Sequence, residues 1–423
     1  MTRSKLSILG LLIWGIVGVQ VWAQGQTLTL TQAMDWAVAH QESVRLQSES
    51  IEQSLARIDQ LQGHTLPQLS ASFTESYQDD ALSSSGSSIT SAHRPEYKLS
   101  LNQALFTGFR DSDAMAVAQS QLKTENMRLD EVCLALRRQV AAAYYAVLIS
   151  QRDFEVVGQA AKASDERQSD LSRRVQLGKS RTSEWLAAQS QGLLLHAQLD
   201  QLRAQIAVGQ LELARWVGKD LTDLSVGLPM VASLNMRLTA VEITDRLANR
   251  PELRRLQAQL EAAESQVRFA KRTWLPNVNL GGNYYFERTQ SLSPIKWDAS
   301  VSAQFPLFQG GAEFGDIRLA QSQLKVLQLT YDQQHRVLTT QLHQDLIGLR
   351  SAISQQQLMA DAVTKIESSY RLSVNEYQRG LVTNLEVLSS LDQVVSAKRT
   401  QTRAVVDVAA KTTDFNLTWG GAH

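Results

Sequence analysis

The fold is decided by residues 108–178, which read GFRDSDAMAVAQSQLKTENMRLDEVCLALRRQVAAAYYAVLISQRDFEVVGQAAKASDERQSDLSRRVQLG. This stretch contains no proline, and Gly158 is the only glycine between its two terminal glycines. Leucine, glutamine, alanine and arginine dominate it, and all four favour helix. A helix from Gly108 to Gly178 would be roughly 105 Å long at about 1.5 Å per residue. That length excludes a helix enclosed in one globular core, where the average is about 11–12 residues.

Apolar residues recur every seven residues along this helix, at Met115, Leu122, Leu129 and Leu136. Such spacing is typical of a seam packed against a second helix. The same spacing returns 202 residues later, at Ile317, Leu324, Tyr331 and Leu338. The second copy lies between Gly310 and Gly380, so both copies have the same length and phase. An internal duplication is the simplest interpretation.

Each repeat is predicted to contain a helix, a β-hairpin, a long helix and a shorter return helix. The first repeat, 24–235, has its hairpin at about 66–106, its long helix at about 110–177 and its return helix at about 182–217. The second repeat, 236–423, has them at about 275–308, 312–379 and 383–419. The segment around Gly227 and Pro229 links the two repeats.

The first 23 residues have the features of a secretory signal peptide: Arg3 and Lys5, an apolar run, and a cleavage site at Val21-Trp22-Ala23. An uncleaved membrane anchor is the alternative, and the shortness of the run favours cleavage. Removal leaves 42 − 2 = 40 basic residues against 42 acidic ones, which gives no electrostatic reason to expect nucleic acid. After the signal, no apolar run approaches the ~20 residues of a membrane helix. Cys133 is the only cysteine, so no disulfide can form within the chain.

Apolar and polar residues alternate with a period of two through both predicted hairpins. The polar positions are mostly Ser, Asn, Gln and Thr, with Glu75 as a misfit on the apolar side. Aromatic residues lie near the strand ends, at Tyr77, Tyr97, Tyr284, Phe286 and Trp297. This pattern is typical of membrane β-barrels, with lipid outside and water inside. A soluble sheet covered by a helix is the alternative, and no short helix nearby is available to cover the apolar side.

Four strands cannot close into a barrel, and an open edge in lipid leaves backbone groups unpaired at several kcal/mol each. Single-chain barrels begin at about eight strands. The chain is therefore expected to share one barrel among several copies, most simply with cyclic symmetry. Two copies would give an eight-stranded barrel filled by side chains, whereas three would give twelve strands and a lumen.

The chain from about Leu28 to Trp419 resembles the TolC-like outer-membrane efflux protein family. The resemblance rests on the order and spacing of motifs that occur in both repeats. These are Leu66-Pro67 and Leu275-Pro276 before the hairpins, Leu-Phe-x-Gly after them, and the two glycine-containing tips. The second repeat adds the motif Ala248-Asn249-Arg250-Pro251-Glu252-Leu253. The first repeat departs from the family at Gln41-Glu42-Ser43, where Asn-Pro is usual. The resemblance implies an α+β membrane protein, in which a homotrimer forms a twelve-stranded β-barrel continuing into a periplasmic α-helical barrel about 100 Å long.

The resemblance also implies a function. Such proteins are passive exit ducts in the outer membrane, serving tripartite efflux pumps or type I secretion systems. They dock on a periplasmic adaptor (membrane fusion protein) that connects to an inner-membrane transporter of RND, ABC or MFS type. The chain has no phosphate-binding loop, and no cofactor is expected.

The family resemblance assigns the gate and the docking site to two helical tips, tip one (Val175–Leu186) and tip two (Tyr377–Leu388). In each tip an acidic residue follows the glycine by six positions and a leucine follows it by eight. The implied gate and selectivity residues are Glu386, Glu184 and Tyr377, and the implied docking residues are Gly178, Leu186, Gly380 and Leu388. Three copies of Glu386 would form a carboxylate ring that favours cations. Alternatively, both acids are ordinary helix caps and both glycines only permit a tight reversal.

The resemblance further implies that Tyr377 and Glu184 hydrogen-bond to hold the tips closed. The family's basic partner is missing, because Val382 stands two residues after the second glycine. Arg181 is the candidate substitute, and a more loosely held gate is the alternative.

Parts of the sequence are compatible with two other classes of function. An enzyme is one, since His335 and His343 lie eight residues apart with Asp332 and Asp345 nearby. Solvated histidines on a polar helix face are the simpler interpretation, and neither G-x-S-x-G nor H-E-x-x-H occurs. We therefore expect no catalytic or metal site. The other class is a soluble periplasmic coiled-coil adaptor, which shares the long helices but not the alternating strands.

Overall fold

A computed structural model of the chain describes residues 28–77, 93–219, 226–229, 240–288 and 294–419. The signal peptide predicted over residues 1–23 lies outside these ranges. The described residues form the helices α1 (Leu30–His40), α2 (Glu42–His64), α3 (Arg110–Gln176), α4 (Thr182–Val217), α5 (Ala240–Ala248), α6 (Pro251–Lys271), α7 (Ala312–Gln378) and α8 (Asn384–Trp419). They also form the strands β1 (Gln68–Tyr77), β2 (His93–Phe106), β3 (Asn277–Arg288) and β4 (Trp297–Gln304).

The two halves of the chain contain the same elements in the same order. Helices α3 and α7 each have 67 residues, and α4 and α8 each have 36. The long helices end one residue before the predicted bounds, and the strand β4 ends at Gln304 rather than near 308. Pro306 follows that strand and has no N–H to donate to a neighbouring strand, which explains the earlier end.

The four strands form one antiparallel sheet in the order β1-β2-β3-β4, rather than two separate hairpins. One row across the sheet is apolar and joins Ala71, Leu99, Tyr284 and Trp297. The adjacent row is polar and joins Ser70, Ser100, Asn283 and Asp298. The predicted alternation is therefore confirmed, and the large apolar side chains, such as Phe73 and Trp297, are exposed. Glu75 does lie on the apolar side, where its carboxylate accepts a hydrogen bond from the Tyr97 hydroxyl.

The helices next to the sheet lie in the same order as the strands, because each strand is adjacent in sequence to one helix: β1 to α2, β2 to α3, β3 to α6 and β4 to α7. Near the sheet α3 lies between α2 and α6, and α6 also contacts α7. Far from the sheet α3 lies between α4 and α8, and α8 contacts α7. Ion pairs join these layers, with Lys123 Nζ 2.9 Å from Glu261 on α6 and Arg399 Nη2 2.8 Å from Asp153 on α3. The result is a layer of helices that continues from the sheet.

A cluster of buried residues fixes the middle of this layer. Helix α1 packs on α3 and α4 through Ala33, Ala37, Val140 and Leu213. The chain before α1 and the linker after α4 meet at a parallel bridge between Leu28 and Val226. The Tyr144 hydroxyl lies 2.7 Å from the Leu28 carbonyl oxygen and 2.8 Å from that of Gly227. Both linking segments are thereby held against α3.

Among the described helices, α3 has an 18-residue window apolar and long enough to cross a membrane by composition, with mean hydropathy 1.4. The expectation that no such run follows the signal is therefore wrong by this measure. In that window, 44% of the residues are buried, because α3 packs on helices along both halves of its length.

Candidate functional site

Both helical tips reverse the chain with the same backbone motif. At the end of α3, Gly178 N–H donates to Val175 O (2.9 Å) and Lys179 N–H donates to Arg174 O (2.8 Å). At the end of α7, Gly380 N–H donates to Tyr377 O (3.0 Å) and Leu381 N–H donates to Glu376 O (2.9 Å). This bond pair is the Schellman motif, which needs a left-handed residue after the helix. The two glycines supply it, with φ of +67° and +78°.

The predicted pair Glu184 and Tyr377 is brought together between the two hairpins. Tyr377 Oη donates to Glu184 Oε2 at 3.4 Å, and the Ser180 hydroxyl donates to the same oxygen. A second bond crosses the hairpins, because Asn384 Nδ2 donates to the backbone oxygen of Glu184 at 3.2 Å. Tip one is therefore bonded to both helices that meet at tip two.

Sequence reasoning missed Arg167, which is the nearer of two arginines over the Tyr377 ring; the guanidinium carbon of the other, Arg174, lies 5.9 Å from the ring centre. The Arg167 guanidinium carbon lies 4.5 Å from the centre of the Tyr377 ring. Its Nε and Nη2 atoms donate to Asn384 Oδ1 at 2.8 and 2.6 Å. Arg181, the candidate substitute, is exposed at the N-cap of α4 and forms no side-chain cap bond. The basic residue therefore comes from α3 rather than from either turn. Its contact with Tyr377 and Asn384 forms only because α3 packs on α8.

Glu386 lies in a local bonding pattern of its own helix. Its Oε1 accepts hydrogen bonds from Thr383 N (3.2 Å) and Thr383 Oγ1 (2.9 Å), and Glu386 N donates to Thr383 Oγ1 at 3.4 Å. This reciprocal arrangement is a capping box. Glu386 is exposed and is not bonded to Glu184 or Tyr377 among the described residues. The structure therefore shows Glu386 as a helix cap. The ring of three Glu386 carboxylates at the pore entrance stays a prediction.

The predicted docking residues differ in accessibility. Leu186 is 51% exposed, but Leu388 is only 7% exposed, so its side chain is not presented at the tip surface. The docking role of Leu388 stays a prediction, and within one chain its side chain lies in the seam of α8. Buried residues of α8 recur at Asn384, Val387, Leu388, Leu391, Val394 and Val395, the phase of a helix–helix seam. The exposed apolar side chains at the tips are instead those of Leu177, Leu381 and Leu385.

A second cluster explains the Asn-Arg-Pro-Glu-Leu motif of the second half. Pro251 occupies the first turn of α6, where its missing N–H is harmless. Arg250 is 3% exposed; it stacks on Trp419 at 4.9 Å and donates to the Thr418 carbonyl oxygen at 2.6 Å. Burial lowers the pKa of the Arg250 guanidinium, and the Glu252 carboxylate opposes that shift. The motif fastens the start of α6 to the end of α8.

The two histidines that could seed a metal site lie on the exposed side of α7. His335 and His343 are both exposed. Across the described ranges, no group of three or more His, Cys, Asp or Glu side chains could hold a metal ion.

An open antiparallel sheet with an exposed apolar face, continued by two long helical hairpins with bonded tips, is the architecture of an outer-membrane channel subunit. A family model described as outer membrane efflux protein matches residues 35–219 and 243–419. The chain belongs to the outer membrane efflux protein family. This is a family of channels rather than enzymes, and the soluble adaptor alternative is not supported.

Individual relatives agree with this assignment. CyaE of Bordetella pertussis is 23% identical over 389 residues, which cover 88% of this chain and 80% of that protein. The solvent efflux pump outer membrane protein SrpC of Pseudomonas putida is 22% identical over 383 residues, with the same coverage of both chains. The crystal structure of the outer membrane protein VceC from Vibrio cholerae superposes with a TM-score of 0.82, at 17% identity, over 93% of this chain and 96% of that one.

Proposed function

We propose that three copies of this chain form the passive exit duct of a tripartite efflux or type I secretion system. The observation that carries the proposal is the four-stranded sheet with β1 and β4 at its edges and one exposed apolar face. Unpaired strand edges are unfavourable in lipid, at several kcal/mol per backbone group. Pairing β4 of one copy with β1 of the next satisfies these edges, and three copies give twelve strands.

The helical layer supports the same assembly. Its two sides, formed by α2 and α4 on one and by α7 on the other, carry exposed apolar side chains. On the first side these are Leu46, Leu55, Leu193, Val208 and Leu211. On α7 they are Phe314, Leu319, Val326, Leu329, Val337, Ile347, Leu358 and Leu372. Joining the two sides between copies would bury these residues and close the helices into a periplasmic tube below the barrel.

The polar face of the sheet would line the barrel lumen. There Ser100 Oγ donates to Asn283 Oδ1 at 2.7 Å, and Asn283 Nδ2 donates to Asp298 Oδ1 at 2.8 Å. Hydrogen-bonded polar side chains facing water, with apolar ones facing lipid, are the arrangement found in membrane barrels. The duplicated halves, the cleaved signal peptide at 1–23 and the outer-membrane location belong to this proposal.

The tips are proposed as the gate. The hydrogen bonds that join Tyr377 and Asn384 to Glu184 hold the two hairpins of one chain together, so breaking them would let the hairpins separate. The carboxylates of Glu386 from three copies are proposed to ring the entrance and favour cations; one oxygen of each engages the capping box.

The outer surface of the tips is proposed as the docking site for a periplasmic adaptor linked to an inner-membrane transporter of RND, ABC or MFS type. Gly178 and Gly380 shape the two turns, Leu186, Leu177 and Leu385 offer apolar side chains, and Leu388 supports them from the seam. A protein partner is expected to cover such exposed leucines.

The test is to express the chain with its own signal, fractionate the membranes and insert the purified protein into planar bilayers. The proposal predicts a detergent-stable trimer in the outer membrane that conducts ions. A water-soluble chain in the periplasmic fraction would contradict it.

A further inference from the structure

Arg167 joins α3 to the two helices that meet at tip two. It lies on α3 and reaches Asn384 at the first turn of α8, the Tyr377 ring at the end of α7, and through Asn384 the Glu184 carbonyl of α4. Asn384 is buried, at 2% exposure, and its amide is divided between the two neighbours: the oxygen accepts from Arg167 and the nitrogen donates to Glu184. Arg167 and Asn384 together thus connect the four helices α3, α4, α7 and α8.

The charge of Arg167 has no direct counter-charge. Among the described residues, no carboxylate lies within ion-pair distance of it; Asp170 is paired instead with Arg174, at 2.9 Å. Burial lowers the pKa of the Arg167 guanidinium, because desolvation disfavours its charged form. An arginine nevertheless stays protonated at neutral pH. Its neighbours are therefore a neutral amide oxygen and an aromatic face, and both contacts depend on the orientation of its planar fork.

We propose that Arg167 is the positioning residue of the closed gate: its fork orients Asn384 and the Tyr377 ring so that both can bond Glu184. Removing the fork would leave the buried Asn384 oxygen without its donor, and the Tyr377 ring would keep only the more distant guanidinium of Arg174, 5.9 Å from its centre. Both cross-hairpin bonds would weaken together. The inference rests on the proposed function, and it concerns how the chain itself keeps its two hairpins together.

The test compares Arg167→Gln with Arg173→Gln in purified trimers in planar bilayers. Arg173 lies on the same helix and is exposed, so the control removes the same charge without removing these contacts. Arg167→Gln is expected to raise the conducting fraction at low voltage about tenfold, while Arg173→Gln conducts like the parent chain. Arg167→Lys keeps the charge but not the fork, and is expected to fall between the parent and Arg167→Gln.

A second comparison separates positioning from simple loss of stability. Adding Asn384→Ala to Arg167→Gln is expected to change conduction little further, because both substitutions remove one shared contact. Tyr377→Phe removes only the hydroxyl bond and keeps the ring. Its conducting fraction is therefore expected to lie above that of the parent chain and below that of Arg167→Gln. Trimers of every variant should persist in detergent.

Equal conduction by Arg167→Gln and the parent would overturn the inference while leaving the duct intact, as would a full return of closure in Arg167→Lys. If the parent chain itself forms no channel, the proposed function fails instead.

Discussion

The two tips share a backbone and differ in what their acids do. Both turns use the same pair of hydrogen bonds around a left-handed glycine, and both place an acid six residues later. In tip one the acid, Glu184, accepts from Ser180 of its own turn and also from Tyr377 of the other hairpin. In tip two the acid, Glu386, is bonded to Thr383 of its own turn. Of the two acids, Glu184 is thus the one that also bonds across the hairpins among the described residues.

The residue before each helix explains the difference. Thr383 precedes α8 and completes a capping box with Glu386, whereas Arg181 precedes α4 and forms no side-chain cap bond. Glu184 is therefore outside a capping box, and its Oε2 atom accepts from Ser180 and from Tyr377 of the other hairpin. The glycines are common to both tips because the turn demands them, while the acids have different donors.

The same contrast occurs where the two short helices of each half meet. Arg250 precedes α6 and is buried against Trp419, while Gln41 precedes α2 and forms no side-chain cap bond. Arg250→Ala is expected to lower the free energy of unfolding by about 3–5 kcal/mol, because it leaves the Glu252 carboxylate and the Thr418 carbonyl without their donor. Gln41→Ala should change it by less than about 1 kcal/mol. Denaturant unfolding of the detergent-solubilised protein measures both, and equal losses would remove the distinction between the halves.

The next largest effect is expected in gating. Glu184→Ala removes the acceptor of Tyr377, and one hydrogen bond to a charged group contributes about 1.5–3 kcal/mol. The conducting fraction in planar bilayers should rise roughly tenfold or more. The matched variant Glu386→Ala should leave that fraction unchanged. Equal gating effects of the two variants would mean that the tips act alike.

Because both tips use the same turn motif, substituting either tip glycine is expected to lower stability by the same amount. Gly178→Ala and Gly380→Ala place a side chain at φ of +67° and +78°, where an added Cβ meets no atom within 4 Å. The penalty is then conformational alone, about 1–2 kcal/mol at each site. Thermal unfolding of the two variants should show matching shifts. A much larger loss at one glycine would point to a contact that is specific to that tip.

The smallest effect is expected for Glu386→Gln, which removes the charge of Glu386 and keeps its capping role. Glutamine also completes a capping box, so Glu386→Gln should retain the stability of the parent. If three Glu386 carboxylates ring the entrance, this variant should show a reduced preference for cations in reversal-potential measurements. Unchanged ion preference would restrict Glu386 to the helix cap.

The sequence predicted the elements well because their signals are local. Gly108 and Gly178 bound α3 to within two residues, and the alternation around Phe73 and Tyr284 placed the apolar face. The pairing of Glu184 with Tyr377 came from family resemblance. Arg167 could not be found in this way, because its partners Tyr377 and Asn384 lie more than 200 residues further along the chain and meet it only when α3 packs on α8.

The two tip leucines differ in a way that their equal spacing from the glycines does not show. Leu186 is exposed, whereas Leu388 lies in the buried seam of α8 together with Val387, Leu391 and Val394. Seam positions of this kind follow the heptad phase of the helix.

We propose that one chain supplies only a third of a closed barrel. The decisive measurement is native mass spectrometry of the protein extracted from outer membranes in mild detergent. We expect a complex of three identical chains, without a substantial single-chain population. A single chain that remains in solution once detergent is removed would contradict the claim, since its exposed sheet edges would then need no partner.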